Sequence, residues 1–241
     1  MWLTNSSIGR KVIMSVTGLA LVLFLTFHGS MNVVALFSKE AYNTICELLG
    51  ANWYAVAATL GLAALAALHI VYAFVLTCQN RKARGNSKYA VTDKPAKVEW
   101  TSQNMLVLGI IVLLGLLLHL FNFWYNMMFA ELFPAIHYDA APADGFGKIV
   151  ATFGCPVYVA LYIVWLAAIW FHLTHGFWSA MQTLGVSGKV WFERWKCIGC
   201  IYVSLVMLMF LVVVLAFAFH CAPSQCGEAA GSACCGGCCV A

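Results

Sequence analysis

Seven histidines stand in this 241-residue chain: His28, His69, His119, His137, His172, His175 and His220. An imidazole can bind a metal through one ring nitrogen while the other makes a hydrogen bond that fixes its tautomer. His28, His69, His119, His172 and His175 all fall within long apolar stretches free of Asp and Glu. A polar ring in hydrocarbon is expensive and marks function by default. Paired imidazoles from different helices would suit an axially ligated iron.

The elements that carry these histidines follow from composition. Hydrophobic residues make up 63% of the chain and charged residues 9%, with a mean hydropathy of +0.87. Soluble domains run at roughly 45–50% apolar and about 25% charged. That excludes a soluble enzyme, a nucleic-acid module and a disordered chain. Five stretches are long enough to cross a bilayer as helices: Val12–Phe37, Trp53–Cys78, Asn104–Ala130, Ile149–Met181 and Cys197–Phe219. The ten-residue alternation of a membrane β-barrel is missing. The first stretch follows Arg10 and Lys11 but has no small-x-small cleavage site, so it reads as a retained span rather than a signal peptide. The expected fold is all-α: an integral membrane bundle of five transmembrane helices over residues 1–221, with a Cys-rich tail over 222–241.

Loop charge sets the expected orientation. Arg10 and Lys11, then Arg81, Lys82, Arg84, Lys88, Lys94 and Lys97, then Lys189, Arg194 and Lys196 fall on one side, eleven of the thirteen basic residues. The other side holds Lys39 and Lys148 among six acidic residues. Basic loops face the cytoplasm, which puts the N-terminus inside and the C-terminus outside.

With alternating spans, His28 and His119 lie about 23 Å above the cytoplasmic ends of spans 1 and 3. His69 and His175 lie about 9–13 Å above those of spans 2 and 4. Two pairs at two depths predict two bis-histidine b haems, the outer on His28 and His119, the inner on His69 and His175. His175 is chosen over His172 because its depth matches that of His69 better. His172 is left to bond a propionate, a water or a carbonyl. Small residues next to the ligands (Gly29, Ala66, Ala73, Gly115 and Gly176) are expected to admit a porphyrin. Arg10, Ser15, Lys189 and Arg194 lie at a depth to contact propionates.

Ser7-Ile8-Gly9-Arg10-Lys11, Phe27-His28-Gly29, His69, His119 and the run His172-Leu173-Thr174-His175-Gly176-Phe177-Trp178 together resemble the dihaem cytochrome b subunit, b558 type, of succinate dehydrogenase and quinol:fumarate reductase. The resemblance spans nearly the whole chain and implies the same ligand pairing. It also implies a prokaryotic inner-membrane location and electron transfer between menaquinol or menaquinone and a soluble partner through two haems b. The implied partners are a cytoplasmic flavoprotein with FAD and an iron–sulfur protein, and the assembly could be a dimer of such heterotrimers. Dicarboxylate chemistry would belong to the flavoprotein. This chain has neither a G-x-G-x-x-G fingerprint nor a ferredoxin-like cysteine run in a cytoplasmic segment.

A quinone site is expected at the outer end, where Glu40, Glu47, Asn122, Asn126 and His137 gather, with Glu47 taking the proton. No carboxylate lies beside the span 4 ligand, so coupling to transmembrane proton movement is not implied. Rival readings are a cytochrome b anchor of a hydrogenase or formate dehydrogenase and, in another class, a haem-free transporter lined by histidines. A transporter should show inverted repeats, and none is evident. Cys221, Cys226, Cys234, Cys235, Cys238 and Cys239 crowd the tail. On an outer face they predict disulfides or an incidental tail ahead of a bound metal.

Overall fold

The computed structural model describes residues 6–84 and 100–226. Lys88, Lys94 and Lys97 of the basic loop and Cys234, Cys235, Cys238 and Cys239 of the tail lie outside the described residues. The described chain is helical, with no strand among its residues: α1 Ser7–Val34, α2 Lys39–Leu48, α3 Trp53–Arg84, α4 Trp100–His119, a π-helical segment Leu120–Phe129, α5 Ala130–Leu132, α6 Gly145–Phe153, α7 Pro156–Thr183, α8 Lys189–Ala218 and α9 Pro223–Cys226. Five helical stretches are long and apolar enough to cross a membrane. They make the chain a multi-pass membrane protein.

Local chemistry sets the helix boundaries. Ser6 caps α1 by accepting from the Gly9 amide at 2.9 Å, Ser38 caps α2 through the Ala41 amide, and Asp144 caps α6 through the Gly147 amide. Such caps each contribute about 1 kcal/mol. The expected fourth span, Ile149–Met181, is two helices. Pro156 opens α7 at its first turn, where a missing N–H costs nothing, and α6 ends at Gly154. Residues 145–153 therefore form a short helix of their own, and the span begins at Pro156.

The third span is continuous from Trp100 to Leu132 but changes character after His119, where its hydrogen bonds widen into a π-helix. The Asn126 amide nitrogen donates to the Phe121 carbonyl at 2.9 Å and the Asn122 carbonyl at 3.1 Å. π-segments are rare and frequently mark functional sites.

Helices α1, α7 and α8 pack against one another as the centre of the bundle. α8 supplies Val203, Val206, Met207, Val213, Val214 and Phe217, all nearly inaccessible. Thr26 Oγ1 and Tyr202 Oη bond across α1 and α8 at 2.6 Å, and Trp170 Nε1 donates to Ser204 Oγ across α7 and α8 at 2.9 Å. α4 packs on α7, whereas α3 packs along α1 with no comparable packing against α4 or α7. Among the described residues, α3 and α4 thus make no close packing contact. At its upper end, α2 and α6 lie together, joined by the Asn43 amide donating to Asp144 Oδ1 at 2.8 Å. Ser224 of α9 closes that end, its hydroxyl donating to the Ala35 carbonyl at 2.6 Å. The chain start and the α7–α8 connection form the lower end.

Candidate functional site: two imidazole pairs and an upper cavity

The structure brings four histidines together as two pairs. In the upper pair, His28 of α1 and His119 of α4 stand with ring centroids 5.8 Å apart and planes at 80°. In the lower pair, His69 of α3 faces His172 of α7 at 6.4 Å and 69°. A metal–nitrogen bond of about 2.0 Å plus roughly 1.1 Å to the ring centre puts two axial imidazoles about 6 Å apart. Both pairs have that spacing.

Their separation can be read along one helix. His172 lies against Gly109 of α4, where an added Cβ would sit 3.7 Å from its Cε1. His119 is ten residues further along, about 15 Å at 1.5 Å per residue.

The lower pair differs from the sequence expectation in its span 4 member. His175 packs edge-on against Trp178 at 4.8 Å, and it is His172 that faces His69. Depth along a helix does not determine direction around it. Three residues of α-helix turn a side chain by about 300°, so His172 and His175 point about 60° apart.

Thr17 of α1 organises the lower pair. Its Oγ1 bonds back to the Ile13 carbonyl at 2.8 Å, which uses the hydroxyl proton, and lies 3.1 Å from His69 Nδ1. The oxygen therefore accepts from Nδ1–H, which leaves the Nε2 lone pair for a metal. Gly18 follows, and a Cβ there would stand 3.1 Å from His69 Cε1. Neither residue was among the sequence candidates. The legible signal was a hydroxyl and a glycine side by side at the depth of His69.

Around the upper pair the shell is aromatic. Phe24 stacks on His28 at 5.4 Å, and Phe210 of α8 approaches it at 5.7 Å. Phe123 and Trp165 lie 5.1 and 5.6 Å from His119. Trp165 donates its Nε1–H to the Val112 carbonyl and fills the notch at Gly115, where a Cβ would be 2.0 Å from its Cδ1. Gly115 thus admits an indole in this structure. Gly29 likewise makes room for Met209 and Phe210 of α8.

The Nδ1 atoms of His119 and His172 are buried without a hydrogen-bond partner. Leaving a buried polar atom unpaired costs about 1–3 kcal/mol, and such atoms in a native fold call for an explanation. Among the described residues no group of three or more His, Cys, Asp or Glu could hold a bare metal ion. Imidazoles in twos, each pair spaced for one central iron, fit a haem, whose macrocycle supplies the remaining ligands.

The residues expected to contact propionates sit near the lower end of the bundle. Ser15 is buried, with its hydroxyl bonded to the Lys11 carbonyl at 2.9 Å. Arg194 lies over the Trp191 ring at 5.2 Å, Lys189 is exposed at the start of α8, and Arg10 lies in the first turn of α1.

One turn beyond His119, at the upper end, a cavity of about 310 Å³ is lined by Phe121, Asn122, Asn126, Lys148, Ala151, Thr152 and Tyr158. The π-helical segment, α6 and the start of α7 form its walls. Asn122 donates to Tyr162 Oη at 3.3 Å, and Asn126 Oδ1 lies 3.1 Å from His137 Nε2. Asn122 and Asn126 were among the residues expected at this end. Glu47 is exposed on α2 and does not line the cavity, and Glu40 is exposed at the start of the same helix.

No family model, curated protein or solved structure matches this chain.

Proposed function

We propose that the chain is a dihaem cytochrome b membrane subunit that passes electrons between a membrane quinol or quinone and a soluble iron–sulfur partner. In this reading it is the anchor of a succinate dehydrogenase or quinol:fumarate reductase, with menaquinone as the quinone and FAD on a flavoprotein partner. The observation that carries the proposal is the two imidazole pairs, each with centroids about 6 Å apart, at two levels about 15 Å apart. Two haems b bound there would supply one-electron carriage across the bilayer.

The chain's own residues do the rest. His28 and His119 would hold one haem at the upper level, and His69 and His172 the other at the lower. Here His172 replaces His175, the ligand that depth alone selects, because His172 is the ring that faces His69. Thr17 fixes the His69 tautomer, and Gly18 leaves room beside the ring. The aromatic shell excludes water from the upper pair.

The lower end carries Arg10, Lys11, Arg81, Lys82, Lys189, Arg194 and Lys196 and is assigned to the cytoplasm. That places the soluble partners below. The quinone then belongs above, in the cavity beside His119, because electrons must enter and leave a relay at opposite ends. The cavity sets the rings of Phe121 and Tyr158 beside Asn122, Asn126, Lys148 and Thr152, polar groups able to orient a quinone headgroup.

A pyridine haemochrome assay on the purified, fully loaded protein is expected to give two haems b per chain. One haem or none would overturn the proposal.

A further inference from the structure

The upper cavity has a single cationic side chain among its lining residues, Lys148 of α6. Lys148 Nζ is ion-paired with Asp139 in the connection before α6, and both side chains are largely covered, at 22% and 20% exposure. Asp139 is itself pinned, its Oδ1 accepting from the Ala141 amide at 2.9 Å. An ammonium has three donors, and the pair with Asp139 fixes Lys148 at the wall without using all of them.

The two amide side chains there are committed. The Asn126 amide nitrogen serves two backbone carbonyls, so its oxygen accepts from His137 Nε2–H. His137 is in turn stacked on Tyr125 at 4.3 Å. The Asn122 amide is directed at Tyr162. Beside the hydroxyls of Thr152 and Tyr158, Lys148 is the one cationic donor in the lining to meet an oxygen entering the cavity, and Phe121 and Tyr158 offer ring faces to a planar molecule.

We infer that Lys148, positioned by Asp139, is the residue that binds a ring oxygen of the quinone headgroup in this cavity. The inference rests on placing the quinone at the upper end and adds the group that recognises it. Asp139 acts through Lys148 and is a positioning residue. The cationic donor favours the oxygen as it gains negative character, since hydrogen bonds to charged groups exceed neutral ones.

The test uses the full chain in detergent with a photoreactive azido-naphthoquinone. Labelled peptides are mapped by mass spectrometry, and affinity is measured by tryptophan quenching. Wild-type protein should be labelled within residues 121–126 or 148–158. Lys148→Met should bind about tenfold more weakly, Lys148→Arg within about threefold of wild type, and Asp139→Asn at an intermediate level, all with unchanged thermal unfolding. The carbonyl stretch of the bound quinone should rise in Lys148→Met, a change that a purely structural role would not produce.

Cavity labelling with equal affinity in Lys148→Met would overturn the role of Lys148 and leave the upper site standing. Labelling beside His69 and His172, or none in the cavity, would overturn the upper placement and this inference together. Displacement of the label by anionic phospholipid but not by unlabelled naphthoquinone would make the cavity a lipid-headgroup site and overturn it as well.

Discussion

The two histidine pairs are built from the same residue type at nearly the same spacing, yet their surroundings differ. The upper pair is enclosed by Phe24, Phe123, Trp165 and Phe210, with α8 packed behind it. At the lower pair, α3 rests on α1 and, among the described residues, does not pack comparably on α4 or α7. That pair is ordered by Thr17 rather than by a wall of rings. The upper site is thus held by shape and the lower by one polar contact, so different substitutions should damage them.

The sharpest break in this comparison is the choice of lower ligand. His172→Ala is expected to abolish the lower haem and halve the haem content, while His175→Ala keeps both haems. Redox-titrated absorbance spectra would read this directly, and loss of a haem in His175→Ala would return the ligand role to that residue.

A smaller effect is expected at Thr17. Thr17→Val removes the acceptor for His69 Nδ1–H and leaves the shape almost unchanged. Loss of such outer-shell partners typically costs 10–100-fold in metal affinity. The lower haem should therefore dissociate more readily and its midpoint potential should shift, with the upper haem unchanged. Equal disturbance of both haems would mean that the two sites are not independent.

The least effect is expected at Glu47. The residue is exposed on α2 and outside the cavity lining, so Glu47→Gln should leave quinol-linked turnover within about twofold of wild type. A loss of more than about tenfold would restore it as the proton acceptor.

The five spans and three of the four paired histidines (His28, His69 and His119) were legible because both depend on local facts: apolar length, and a polar residue within it. What depends on rotation or on a distant partner was less so. His172 and His175 differ by one turn, and only packing shows which one faces α3. The Gly154-Cys155-Pro156 break lies within an apolar run, so length alone merged α6 with α7. The tight fit of Trp165 into Gly115 is a tertiary contact between two helices. Lys148 reads in sequence as one of two basic residues on the acidic side. Its meaning comes from the fold, which sets it against Asp139 at a cavity wall.

The π-helical segment has one further consequence. In an α-helix, side chains four residues apart drift by about 40° around the axis, so a column of rings winds away from its starting face. In a wider turn that drift shrinks. Phe121, Tyr125 and Phe129 accordingly stack in succession at 5.7 and 5.1 Å. A chain with one residue fewer in this stretch could return to ordinary α-turns and still join His119 to Pro134. The same deletion in α8 would rotate every later side chain by about 100° out of register with its neighbours. Residues 120–129 therefore hold spare length, and that part of the molecule is where related chains can differ in length without moving the histidines.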